Sequence, residues 1–142
     1  MIGDDERLRT RLGGLLRVFD VEDAEEAAKT GAQALVVSNH GGRQLDGAPS
    51  SIEVLPEIVD TVGSRIELMF DGGIRSGQDV MRALALGAKS CMIGRAYIHG
   101  LGAFGGPGVA KAIDLIANEL STTMGLCGVN TIAEIDDHVL AI

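Results

Sequence analysis

Three features of this 142-residue sequence predict an α/β fold built on a parallel sheet. Short continuous apolar runs alternate four times with amphipathic helical patterns, as expected of strands covered by helices. The joins between helix and strand repeat, as Thr30-Gly31-Ala32 and Leu86-Gly87-Ala88. Glycine, at 20 residues, is about twice its average usage, and it gathers between the apolar runs, where tight turns need it.

The elements follow in order. Leu15 to Phe19 reads as the first strand. Asp20 is placed to cap a helix over Val21–Thr30, with Asp23 three residues on and Gly31 closing it. Strand Ala34–Val37 leads into a polar, glycine-rich loop. A helix from about Ser51 to Val62 carries Ile52, Leu55, Ile58, Val59 and Val62 on one side, and strand Ile66–Phe70 follows. A helix from about Gly77 to Leu86 returns the chain to strand Ser90–Ile93, which Gly94-Arg95 ends. The segment Gly100 to Gly108 is expected to be a loop. The longest helix is expected over Val109–Met124, its stripe of Val109, Ile113, Ile116, Leu120 and Met124 lying on the core. A short helix over about Ile132–Leu140 closes the chain.

Composition narrows the function. Hydrophobic residues at 46%, with only three Phe and one Tyr, fit a core packed mainly with aliphatic side chains. A formal charge of −8 argues against nucleic-acid binding, which needs basic patches. No apolar run reaches the length of about 18 residues that a transmembrane helix needs. Cys91 and Cys127 lack metal-ligand or CxxC spacing, so they are expected to be free buried thiols of a reduced compartment, and no metal is expected. The acidic opening, Met1 to Glu6, differs from a secretion signal, and the expected location is cytoplasmic, with peripheral membrane association left open.

In folds of this class, functional residues sit in loops after the strand C-termini. His40, Arg43, Asp71, Arg75 and Arg95 all fall there. In Ser38-Asn39-His40-Gly41-Gly42-Arg43, an imidazole that can take a proton near neutral pH stands three residues from a guanidinium that can hold a carboxylate in two hydrogen bonds. In Asp71-Gly72-Gly73-Ile74-Arg75 the glycines let backbone N–H groups approach an anion, Arg75 adds charge and the next helix offers its N-terminus. Gly94-Arg95 supplies a second close approach. Taken singly, a Gly-Gly turn or a loop histidine is as well explained by plain structure. His99, His138 and Tyr97 lack such context: the two histidines are expected to face solvent, and Tyr97 to pack at the base of its loop. Met69, Met81, Met92 and Met124 are expected to fill core gaps.

These segments together, Ser38 to Asp46, Asp71 to Gly77 and Gly94 to Tyr97, closely resemble the FMN-dependent α-hydroxy acid dehydrogenases and oxidases. That family includes L-lactate dehydrogenase, glycolate oxidase and mandelate dehydrogenase. The resemblance runs from about Asp20 to the end. It implies a TIM-barrel fold, with residues 15–142 as the C-terminal (β/α)4 half of a (β/α)8 flavin-binding barrel and residues 1–14 as a segment outside the family pattern. It implies an FMN flavoprotein in which His40 is the proton acceptor and Arg43 binds the carboxylate of a small 2-hydroxy acid. Ser38 would lie near the isoalloxazine ring, and Asp71, Gly72, Gly73, Arg75, Gly94 and Arg95 would hold the ribityl phosphate region.

The sequence also departs from that pattern. The first four βα units have no counterpart, so the half-barrel is expected to self-associate or pair with a complementary half, and to be incomplete as an oxidoreductase when alone. The family's lysine facing the flavin N1/O2 edge falls on Leu16, with Arg17 expected on the opposite face. A non-catalytic module that binds phosphate or flavin, or completes a partner chain, is the second reading. A protein resembling inosine-monophosphate dehydrogenase ranks below both, because neither cysteine has the setting of that class's catalytic thiol.

Overall fold

The computed structural model describes residues 15–140. Four strands form one parallel sheet in sequential order: β1 (Leu15–Val18), β2 (Ala34–Ser38), β3 (Glu67–Asp71) and β4 (Ser90–Met92). The crossovers are helices α1 (Val21–Lys29), α2 (Ser51–Val62) and α3 (Gly77–Ala85), and α4 (Arg95–Leu126) follows β4. The side-chain period of two divides the sheet into two faces. Val18, Leu35, Val37, Leu68 and Phe70 pack with Ala24, Ala27, Leu55, Ile58 and Val62 of the helices into the main core. The register aligns Arg17, Val36 and Met69, then Ser38, Asp71 and Met92, on the other face. In a closed barrel that face is the interior.

Local sequence explains where the helices start and stop. Asp20 accepts the Asp23 N–H at 2.8 Å, capping α1 as expected. Ser50 with Glu53 and Ser76 with Asp79 are reciprocal capping boxes for α2 and α3. Gly31 follows α1 at φ +82°, a conformation that stops a helix.

The C-terminal third differs from expectation. Gly100 to Gly108 lies within α4 and is not a loop; non-helical geometry is confined to Phe104 and Gly105. The glycines serve a close approach instead: a Cβ on Gly100 would stand 2.4 Å from the Gly108 carbonyl oxygen, and one on Gly108 2.0 Å from that of Gly100. Pro107 is tolerated because it opens the second helical segment, where its missing N–H costs nothing. Only the C-terminal part of the Val109–Met124 stripe lies on a core, where Leu120 and Met124 pack against Met81, Ala85, Val129 and Ile135. Ile113 is 50% exposed, and Gly108 is the buried residue of this helix. The expected last helix is two short 3₁₀ turns, Ile132–Glu134 and Asp137–Val139. There Val129 and Ile135 pack with Met81 and Ala85 of α3 in a second small core.

Candidate active site

The C-terminal ends of the strands open onto one cavity of about 530 Å³. Among its lining residues are Arg17, His40, Arg43, Asp71, Gly72, Gly73, Arg75, Gly94 and Arg95. Four guanidiniums face a single carboxylate, Asp71, in a chain whose formal charge is −8. Such a concentration of positive charge in a concave site attracts anions. Every sequence-predicted site residue except Ser38 lines this space.

Ser38 has a different place. It is 1% exposed, and its hydroxyl donates to the Asp71 carboxylate at 2.7 Å while accepting the His40 backbone N–H at 3.2 Å. It therefore ties the end of β2 to the end of β3 and reaches the cavity only through Asp71. His40 has a left-handed backbone, φ +56°, uncommon for any residue but glycine. Gly41 and Gly42 continue the turn at φ +69° and +71°. This turn leaves the imidazole exposed at the cavity, with Arg43 beside it.

The two helix N-termini at the cavity differ. Those of α3 are already satisfied: Asp79 accepts the Arg75 and Ser76 N–H groups, and Glu119 of α4 accepts that of Gly77 at 2.9 Å. The expectation that α3 offers its first turn to an anion is thus corrected, because two carboxylates hold those donors. At α4 the cap is Gly94, which provides no side-chain bond, so the first amides there stay available beside Arg95. Neither Gly73 nor Gly94 has a heavy atom within 4 Å of where a Cβ would stand. The space over both loops suits a phosphate, and the residues present fit an FMN-type ligand with an anionic tail.

Arg17 corrects a second expectation. The register sets it beside Val36, on the cavity face, and its guanidinium lies 3.8 Å from Asp71. Counting back from the Asp20 cap assigns the inward position to the wrong residue, because it carries no information on strand register. Gln44 and Ile98 also line the cavity, as does Met92, which was expected to fill a core gap and instead lies on the cavity face of β4. They lie within or next to the loops already singled out, so proximity was the available signal.

The cysteines divide. Cys91, on the helix-covered face of β4, is shielded enough that burial pushes its thiol up to about 11. Cys127, expected to be buried, is exposed at the end of α4. His99 and His138 face solvent as expected, and Tyr97 lies in the first turn of α4 at 37% exposure. Among the described residues, no helix is long and apolar enough to cross a membrane.

A parallel α/β sheet with an anion-accepting rim at its strand ends belongs to the α/β class whose ligands bind beyond the strand C-termini. Comparison makes the class specific. A family model described as FMN-dependent dehydrogenase matches residues 10–142, and the chain belongs to that family. It is 55% identical over 124 residues to an L-lactate dehydrogenase of Caulobacter sp. (strain K31), covering 87% of this chain and 33% of the relative. To the peroxisomal (S)-2-hydroxyacid oxidase GLO3 of Arabidopsis thaliana it is 52% identical over 119 residues, covering 83% and 33%. Mandelate oxidase solved with (S)-mandelic acid superposes with a TM-score of 0.83 at 46% identity, over 87% of this chain and 37% of that one. The chain thus spans about a third of the length of the curated relatives it matches. Its sheet and helices are part of a TIM barrel, and the family's cofactor is FMN.

Proposed function

We propose that this chain carries the proton-accepting, carboxylate-binding and phosphate-binding part of an FMN-dependent enzyme that oxidises a small L-2-hydroxy acid to the 2-oxo acid. Its relatives' names support lactate, (S)-2-hydroxy acids and mandelate, and the substrate proposed is of the lactate, glycolate and mandelate class. The observation that carries the reading is convergence: His40 and Arg43 share one cavity with the Gly72-Gly73 and Gly94-Arg95 loops.

FMN, when bound, accepts the hydride equivalent. The chain's residues do the rest. Arg43 holds the substrate carboxylate, which fixes the hydroxyl-bearing carbon relative to His40. The His40 imidazole takes the proton released from substrate as oxidation proceeds. Gly72, Gly73, Arg75, Gly94 and Arg95 hold the ribityl phosphate. Asp71, a carboxylate, repels phosphate and suits sugar-alcohol hydroxyls, while Ser38 anchors it from below. Arg17 stands on the cavity face of β1, where it would supply a cation to a bound flavin.

The open sheet edges pair with a complementary half-barrel or with a second copy of the chain. Two observations favour this pairing. Among the described residues β1 and β4 each pair on one side only, and α4 leaves Ile98, Leu101 and Phe104 about half or more exposed. Residues 15–142 belong to this unit, and the isolated chain reduces flavin poorly.

The test mixes the chain, FMN and L-lactate without oxygen, alone and with the first four βα units of a relative, and follows the flavin's visible absorption. Bleaching that needs the complement and slows about 10²–10⁴-fold in His40→Ala is the expected result. Bleaching indifferent to His40→Ala removes the proton-acceptor assignment.

A further inference from the structure

The His40 turn rests on two buried hydroxyls, and only one of them belongs to the residues already assigned. Ser38 accepts the His40 N–H. Ser51, the first residue of α2, accepts the preceding N–H, that of Asn39, at 3.0 Å. Ser51 is 2% exposed and lies twelve residues further along the chain. Its other neighbour is the phosphate loop: a Cβ on Gly72 would stand 2.6 Å from the Ser51 Oγ and 3.2 Å from its Cβ. Gly72 has φ +134°, and the Asn39 side-chain oxygen would lie 3.6 Å from the same Cβ. The Ser51 hydroxyl is therefore wedged between the backbone of the proton-transfer turn and the backbone of the phosphate loop.

We propose that Ser51 is a positioning residue that couples these loops, so that the His40 turn and the Gly72-Gly73 loop hold their geometry as one body. The physical reason lies in the turn itself. His40 occupies a left-handed conformation that costs an ordinary residue of order 1–2 kcal/mol, and surrounding structure must over-determine it. Two consecutive amides bound to two buried hydroxyls do so. Removing the Ser51 oxygen leaves the Asn39 N–H without its acceptor at a half-buried site and takes away the atom on which Gly72 rests. Ser38 cannot replace it, because its hydroxyl already serves His40 and Asp71. The functional meaning rests on His40 being the proton acceptor; the coupling itself is a property of the chain without ligand.

The experiment is therefore read on the ligand-free chain, which separates failure of the coupling from failure of the proposed function. Amide hydrogen exchange and the His40 ring resonance, assigned by its loss in His40→Gln, are compared in wild type, Ser51→Ala and Ser51→Thr. Ser51→Ala is expected to speed exchange at least about tenfold at residues 39–42 and at 72–73 together, and to broaden or split the His40 resonance. Exchange at Leu68 and Phe70, in the core of β3, stays within about twofold. Ser51→Thr, which keeps the hydroxyl, restores both loops and the single resonance. Unchanged loops in Ser51→Ala, a change confined to 39–42, a uniform rise that includes β3, or no restoration by Ser51→Thr would each overturn the proposal.

Discussion

The left-handed His40 at the end of β2 is the residue on which the proposed chemistry turns, and its setting shows what local sequence carries. Gly41-Gly42 beside a histidine is visible in the sequence and implies a sharp, open turn. The hydroxyls that hold the turn are not visible, because Ser51 is remote and enters only through the tertiary fold. Arg17 was misplaced for the same reason: strand register belongs to the sheet, and one residue of slip reverses a side chain's face. Cys91 and Cys127 differ only in burial, which composition cannot show. Cys91's thiol is held protonated by burial, with its folded pKa, about 11, above the ordinary 9.0. Its stabilising share is thus whole below the unfolded value and is lost as pH rises through about 11. Alkylation of the native chain at pH 8 should label Cys127 readily and Cys91 slowly. Chemical denaturation should show stability falling between pH 9 and 11, less steeply in Cys91→Ala.

At the scale of elements, the three crossover helices were legible from their apolar spacing, and Asp20 caps α1 where the sequence placed it, while the Ser50 and Ser76 capping boxes emerge from the structure. The glycines of α4 were not. Glycine signals both a turn and a close helix approach, and only the approach applies to Gly100 and Gly108. Gly77 is the sharper example. Its missing Cβ would stand 1.9 Å from the Leu120 backbone nitrogen, so α3 and α4 meet main chain to main chain there. Gly77→Ala should therefore cost at least about 1–3 kcal/mol, the range for overpacking a filled site. It should lower the thermal midpoint, because the added methyl has to displace main chain where α3 meets α4. The cavity-forming change Leu55→Ala, at a residue 0% exposed, should cost about 2–5 kcal/mol in urea unfolding.

For the whole molecule, alternation of strands and helices gave the parallel sheet, and family resemblance gave the barrel it belongs to. The four described strands leave β1 and β4 each with one open side, and the cavity faces the space a closed barrel would occupy. Light scattering should show a species heavier than one chain, or a shift to a defined complex when the complementary βα units are added; a cooperatively folding monomer indifferent to them would contradict this. On the proposed function, the two glycine-rich loops bind FMN's phosphate while His40 waits for substrate. Titrating FMN into the chain and following its fluorescence tests this directly. Arg75→Ala should weaken binding by about 10- to 100-fold, the worth of a charge-assisted hydrogen bond, and His40→Ala should leave it within about twofold. Equal affinity in wild type and Arg75→Ala, or a comparable loss in His40→Ala, would contradict the account.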